Sequence, residues 1–333
     1  MLERRAAVGV GCLPPFDPMV RESPCRLIPP QGSQLRAGQV ARDRAVGYGM
    51  GHHGEILQGA FRDGEGQMRR GLVTLPFPVF NSVAWAVPTE GRSIEIDPPE
   101  KTKALRAVAL LLNRIGERSS GLSVRIRSNI PIGYGLGSST ADIVAALTSA
   151  ASALGASLCP ADLLKLAVSA EQASDGTMFT SRAVLAAHRE GVLLEEFARP
   201  LPPMGLISIN SSPDNPLLTL DFPPAPYETT DVDHFDDLRR TLRQAVAEGD
   251  QALLAKVATE SALINQRYLP QPGLPDILDI ARANGALGIQ VAHSGRMLGL
   301  ILPANLDRFD RPVSTIMGGL QELGAVPMFI SRL

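Results

Sequence analysis

Aromatic residues are scarce in this 333-residue chain, 5% of the total with a single Trp, and there are only three cysteines. Cys12, Cys25 and Cys159 are odd in number and lack metal-ligand spacing, which argues against a disulfide framework and for a reducing compartment. A formal net charge of -2 supplies no overall attraction to nucleic acid or to an anionic membrane. No apolar run reaches the roughly 18–20 residues that span a bilayer, so a cytoplasmic protein without membrane or nucleic-acid partners is expected. Nothing in the sequence sets an oligomeric state. What is plentiful is hydrophobic residues, 44% of the chain, enough for one large core or two modest ones.

Residues 1–44 are rich in Pro and Arg and show little hydrophobic periodicity. Such a stretch buries little apolar surface, and it lacks the continuous apolar segment of roughly 7–15 residues found in secretory signals. A disordered leader, or a start codon assigned too far upstream, is the expectation, with the Arg content leaving an organelle-targeting reading open.

From Ala45 the pattern becomes regular. Strands are expected at 72–75, 79–87 and 93–96, and Leu122, Val124 and Ile126 alternate with Ser123, Arg125 and Arg127 as in a strand covered on one face. Residues 101–117 carry an apolar stripe at Ala104, Leu105, Val108, Leu111, Leu112 and Ile115, which predicts an amphipathic helix. Further helices are expected from Ser138 or Ser139 to Leu154, from Pro160 to Gln172, through Phe235 to Ala245, through Leu253 to Ser261, from Pro275, and over 313–323. Short strands are expected at 206–209, near Ile289 and Leu298, and at 328–330, with a Pro-rich loop over 210–226. Strands and helices mix without strict alternation, which favours α+β over a doubly wound sheet.

The segment Pro131-Ile-Gly-Tyr-Gly-Leu-Gly-Ser-Ser-Thr140 lies between a strand and a helix. Glycines at 133, 135 and 137 let the backbone turn its amides toward a ligand, and a helix N-terminus adds unpaired N–H groups and partial positive charge. Phosphate is a fitting ligand, a structural turn the alternative. The motif is neither Gly-x-Gly-x-x-Gly nor a loop ending in Gly-Lys-Ser/Thr.

Three other islands bear on chemistry. Gly51-His-His-Gly-Glu-Ile-Leu-Gln-Gly59 places Glu55 in a glycine-flanked turn; His52 and His53, as strand neighbours, point to opposite faces and make a poor metal pair. Glu171 and Asp175 fall at a helix end, where the dipole disfavours carboxylates, so their presence suggests use: one acid to hold a cation and another to orient or deprotonate a hydroxyl. A solvated acidic helix end is the plain alternative. Residues 288–299 read as strand, tight turn, strand, with His293 either contacting ligand or bonding structurally. Asp142, three residues beyond Ser139, is expected to close a variant capping box, with a cation role as the other reading.

Pro-x-Gly-x-Gly-Leu-Gly-Ser-Ser-Thr closely resembles the ATP-binding motif of the GHMP kinases, the family of galactokinase, homoserine kinase, mevalonate kinase and phosphomevalonate kinase. The resemblance implies a two-domain α+β fold, with a ribosomal protein S5 domain 2-like half over 45–200 and a ferredoxin-like half over 201–333. It implies ATP held by Pro131, Gly133, Gly135, Leu136, Gly137, Ser138, Ser139 and Thr140, Mg2+ on Ser139 and Glu171, and Asp175 as base. Asp175 lies closer to Glu171 than the base does in many members. Glu55, His53, His293 and Ser294 are expected at the acceptor site. The basic residue that many members carry before the Gly-Glu is missing, and the third glycine-rich motif is replaced by Val-Ala-His-Ser-Gly at 291–295.

With Ser-Ser-Thr-Ala-Asp-Ile at 138–143 and Leu-Val-Thr-Leu-Pro at 72–76, these departures are similar to the L-threonine kinase branch, whose O-phospho-L-threonine serves the aminopropanol arm of cobalamin. The resemblance therefore implies a small-molecule hydroxyl acceptor, an amino acid foremost. The alternatives are homoserine, serine or a hydroxylated precursor in specialised metabolism, or a catalytically silent ATP-binding regulator.

Overall fold

Glycines at 47 and 49, which interrupt the apolar pattern near Ala45, sit inside a strand that lies directly beneath a helix. A Cβ at Gly49 would come within 1.9 Å of the Ala141 carbonyl oxygen, and one at Gly47 within 2.1 Å of that of Ala145. Only glycine lets strand and helix approach this closely. The strand is β1 (Ala45–Arg62) and the helix is α2 (Ser138–Ala153). In this computed structural model the described residues are 45–117, 120–210, 225–293, 297–306 and 310–333. The expected leader, the greater part of the 210–226 loop and Ser294 lie outside them.

The remaining elements are β2 (Met68–Thr89), β3 (Ile94–Asp97), α1 (Thr102–Ile115), β4 (Gly121–Ser128), α3 (Pro160–Glu171), β5 (Val184–Ala187), β6 (Val192–Glu196) and β7 (Gly205–Asn210). They continue as α4 (Thr229–Glu248), α5 (Gln251–Asn265), α6 (Leu274–Ala283), β8 (Gly288–Val291), β9 (Met297–Leu302), α7 (Arg311–Glu322) and β10 (Val326–Arg332). One sheet runs in the order β10-β7-β9-β8-β1-β2-β4-β3, with the β5–β6 hairpin branching from β2. Every pairing is antiparallel except β3 with β4. The α+β class expected from the sequence is the class observed.

The alternation at 122–127 behaves as read: Leu122, Val124 and Ile126 are buried, while Arg125 and Arg127 face out. The α1 stripe likewise buries Ala104, Val108, Leu111 and Leu112, and the helix ends on Gly116 in the left-handed region at φ 72°. Each leucine so buried contributes about 1.5–3 kcal/mol. Two strand expectations are corrected. Residues 72–75 and 79–87 belong to one continuous β2, because pairing with β1 persists through a register shift. The β5–β6 hairpin was not anticipated; Val184 to Ala187 are all buried, so no alternation marks them.

Cys159, ahead of α3, has its Sγ 3.3 Å from Asp162 Oδ2. No helix among the described residues is long and apolar enough to cross a membrane.

Three cores organise the molecule. One beneath β2 and β4 takes in α1, α2 and α3; a second under β7, β8 and β9 takes in α6 and α7. Between them Phe61, Phe77, Phe235 and Leu254 join β1 and β2 to α4 and α5. The functional residues gather near this middle core, where β1 pairs with β8 through Glu55 and Val291.

Candidate active site

The glycine-rich segment Pro131–Thr140 starts where β4 leaves the sheet. Gly133, Gly135 and Gly137 all adopt left-handed φ values, 85°, 73° and 72°, so the chain reverses at alternate residues. The last of them is the N-cap of α2, and no side chain caps that helix. Its first-turn amides therefore lack intrahelical partners. A Cβ at Gly137 would lie 2.2 Å from His52 Cδ2, so glycine is required there by space as well as by φ. The loop is tied to β1 by the His52 amide, which donates to the Leu136 carbonyl at 3.1 Å. Pro131 and Thr140 bound the segment; Ile132 and Tyr134 project outward from it, and Leu136 is buried.

The capping role expected of Asp142 is not what the structure has. Its carboxylate accepts from Ser82 Oγ at 2.5 Å and from Lys101 Nζ at 2.5 Å. The reason is geometric: Asp142 is 4% exposed on the buried face of α2, toward β2 and the start of α1, rather than back over the helix end. Lys101 and Lys103, not singled out from the sequence, open α1 on this side. Lys103 Nζ lies 3.4 Å from Glu171 Oε2. Their two-residue spacing at a helix start was the available signal.

Glu171 is the last residue of α3, and Gln172 at φ 72° turns the chain away. Ser139 Oγ donates to Glu171 Oε2 at 2.5 Å and Thr140 Oγ1 to Oε1 at 2.8 Å. Burial raises the Glu171 pKa, against the pull of those two hydroxyls and of Lys103. Thr140 Oγ1 also lies 3.4 Å from Asp175 Oδ2. Helix termination thus brings the two carboxylates to opposite sides of one threonine hydroxyl, although they share no helical face.

Asp175 faces β1, where His52 Nε2 approaches Oδ2 at 3.0 Å. On the other side of the ring His52 Nδ1 is 3.8 Å from Glu55 Oε1. Burial opposes charge on both partners, but each stabilises the other: His52 rises to about 9 and Asp175 is held at about 2. Burial also pushes Glu55 up to about 8. Glu55 is 1% exposed, and neither carboxylate oxygen has a hydrogen-bond partner. It sits within β1 rather than in the expected turn; Gly54, at φ 62°, breaks the alternation so that residues 52 and 55 face the same way. His52, Glu55 and Asp175 bring ligand atoms within 4.8 Å of one another, a spacing that suits one cation. Of the three, only His52 and Asp175 are in hydrogen-bond contact, and Glu55 stands apart from them.

His53, expected on the acceptor side, points to the opposite face, as strand alternation requires. It bonds Gln290 through Nδ1 and packs edge-on to Phe77 at 5.2 Å, and burial lowers it to about 3. His52 is the histidine beside Asp175. His293 Nδ1 meets Gln58 Oε1 at 3.1 Å, and its ring stands 4.9 Å from that of His188. Both rings line a cavity of about 150 Å³ with Arg70, Arg189 and Tyr227. Burial keeps His188 neutral, at about 3, and His293 at about 4.

An uncapped helix entered through left-handed glycines, with the buried Glu171 carboxylate beneath it and Asp175 close by against His52, is an arrangement suited to an anion and a small polar partner. The chain belongs to the GHMP kinase family. The family description GHMP kinases N terminal domain matches residues 102–181, and GHMP kinases C terminal matches 242–311. Among curated proteins, an L-threonine kinase of Salmonella typhimurium is 30% identical over 207 residues, 61% of this chain and 66% of that one. A homoserine kinase of Moorella thermoacetica is 30% identical over 198 residues, 58% and 66% of the two chains. The chain thus spans just under two thirds of the length of each. Among solved structures, homoserine kinase from Cytophaga hutchinsonii shares the fold with TM-score 0.64 at 15% identity, covering 88% of this chain and 96% of that one. Streptococcus pneumoniae phosphomevalonate kinase follows the same fold, with TM-score 0.61 at 12% identity and coverage of 87% and 99%.

Proposed function

We propose that this protein is an ATP-dependent kinase that transfers the γ-phosphoryl group to the hydroxyl of an amino acid, with L-threonine as acceptor and O-phospho-L-threonine as product. The observation that carries this reading is the bridge at Thr140. Its hydroxyl touches Glu171, under the phosphate cradle, and lies 3.4 Å from Asp175, which pairs with His52. Amides of residues 133–139 hold the triphosphate. Ser139 Oγ and the Glu171 carboxylate are hard oxygen donors suited to magnesium. A magnesium ion held by these two residues would supply neutralisation of phosphate charge.

Asp175, held ionised by His52, accepts the hydrogen of the attacking hydroxyl and aims its oxygen in line with the γ-phosphorus. A carboxylate so strongly stabilised is a weak base, which matters little because the transition state is loose and positioning supplies most of the rate. The protonated His52 carries the positive charge on β1 that the sequence lacked at its expected place. We assign the cytoplasm as location, residues 45–200 and 201–333 as the two domains, and supply of the aminopropanol arm of cobalamin as the pathway.

A coupled ADP-release assay over L-threonine, L-serine, L-homoserine and sugar alcohols tests this reading. L-threonine should give the highest kcat/KM. Preference for L-homoserine, favoured by the similarity to the Moorella protein, would replace the acceptor, and silence on all of them would point to an ATP-binding regulator.

A further inference from the structure

The cavity beside Asp175 is walled by elements far apart in sequence: Gln58 from β1, Arg70 from β2, His188 and Arg189 just after β5, Tyr227 ahead of α4, and His293 after β8. It is joined to Asp175 through the backbone, since the Ser174 amide donates to the His188 carbonyl at 2.9 Å. At about 150 Å³ it is smaller than the roughly 300–1,000 Å³ of pockets for drug-sized ligands.

Two features of the lining are unbalanced. Arg70 and Arg189 form no ion pair with any described residue, and no carboxylate lines the cavity among the described residues. Arg70 is held in place without being neutralised: Nη2 donates to the Ala225 carbonyl at 2.6 Å, and its guanidinium lies 5.2 Å over the Tyr227 ring. Arg189 stands at the exposed rim. His188, beneath it, is 3% exposed, yet neither ring nitrogen has a hydrogen-bond partner. A buried polar group left unpaired is costly.

We propose that Arg70 and Arg189 form a carboxylate clamp that fixes the acceptor in this cavity, so that the enzyme accepts hydroxy acids of amino-acid size and rejects neutral polyols. This rests on the kinase reading above for its consequence and on the cavity itself for its geometry. Two guanidinium forks match a planar carboxylate. With the carboxylate anchored there, His188 bonds the body of the acceptor and the acceptor hydroxyl extends toward Asp175. A neutral alcohol would desolvate both arginines without replacing their water.

The test is calorimetric binding of L-threonine, of L-threoninol, which carries CH2OH in place of the carboxylate, and of inorganic phosphate, to the full chain without nucleotide. Wild-type protein should bind L-threonine at least about 10-fold more tightly than L-threoninol, and phosphate should not displace it. Arg189→Met and Arg70→Met should each weaken L-threonine binding by about 10- to 100-fold and leave L-threoninol unchanged. Arg70→Met keeps an unbranched side chain against Tyr227, and Arg189→Met at the rim tests the clamp should the former fail to fold. Equal wild-type affinity for L-threonine and L-threoninol, binding of neither, unchanged L-threonine binding in the Arg189 variant, or displacement by phosphate would overturn the clamp. If this binding pattern holds while no acceptor releases ADP, the clamp stands and the kinase reading falls.

Discussion

The proposed phosphate side of this site comes from residues 131–140 together with Glu171, whereas the proposed acceptor side draws single residues from β1, β2, the ends of β5 and β8, and the approach to α4. The first uses backbone: three left-handed glycines and an uncapped helix. The second uses side chains, His52, Asp175, Arg70, His188 and Arg189, whose identities can change without disturbing a helix or a turn. A triphosphate presents much the same shape to any kinase, so amides suffice for it. An acceptor must be told apart from its analogues, and that requires side-chain chemistry placed by tertiary structure.

Glu171→Gln breaks the phosphate side at its one buried acid, and the largest effect is expected there. It should lower kcat by about 100- to 1,000-fold without unfolding the chain, because the amide oxygen still accepts from one of the Ser139 and Thr140 hydroxyls while its NH2 donates to the other; steady-state kinetics at saturating magnesium, with circular dichroism as the folding control, measures both. Full magnesium-dependent activity in that variant would remove the metal-holding role.

A smaller effect sharpens the acceptor side. Glu55 titrates near 8 in the fold and near 4.3 when unfolded. Between those values the unfolded chain has released a proton that the folded chain keeps, so stability falls as pH rises through that window and levels off above it. Glu55→Gln should therefore gain about 1–2 kcal/mol relative to the parent at pH 8 and nothing at pH 4, read as a difference in Tm. An equal shift at both pH values would show that Glu55 is ionised in the native protein.

The same contrast explains what was legible in the sequence. The cradle, α1, α2 and α3 are local: glycine spacing, apolar stripes and the Ser-Ser pair announce them within one window of sequence. Glu55 was visible as a lone acid and Asp175 as the companion of Glu171 at a helix end, but their environment was not, because it depends on β1 lying against the turn after α3. His53 was favoured over His52, and only the break at Gly54 settles which ring turns toward Asp175. Asp142 fits a capping pattern by spacing, yet Ser82 and Lys101, each at least 40 residues away, claim its carboxylate. Arg70 and Arg189 had no local signal, since an arginine in or just after a strand is ordinary surface until the partner that fails to arrive is known.

The central claim is that the two sides meet at Asp175, and Asp175→Asn tests it most directly. Nucleotide affinity and single-turnover phosphoryl transfer to L-threonine should be measured on the same preparation. The account predicts nucleotide affinity within about 3-fold of the parent and transfer slowed at least about 100-fold; transfer at the parental rate would contradict it.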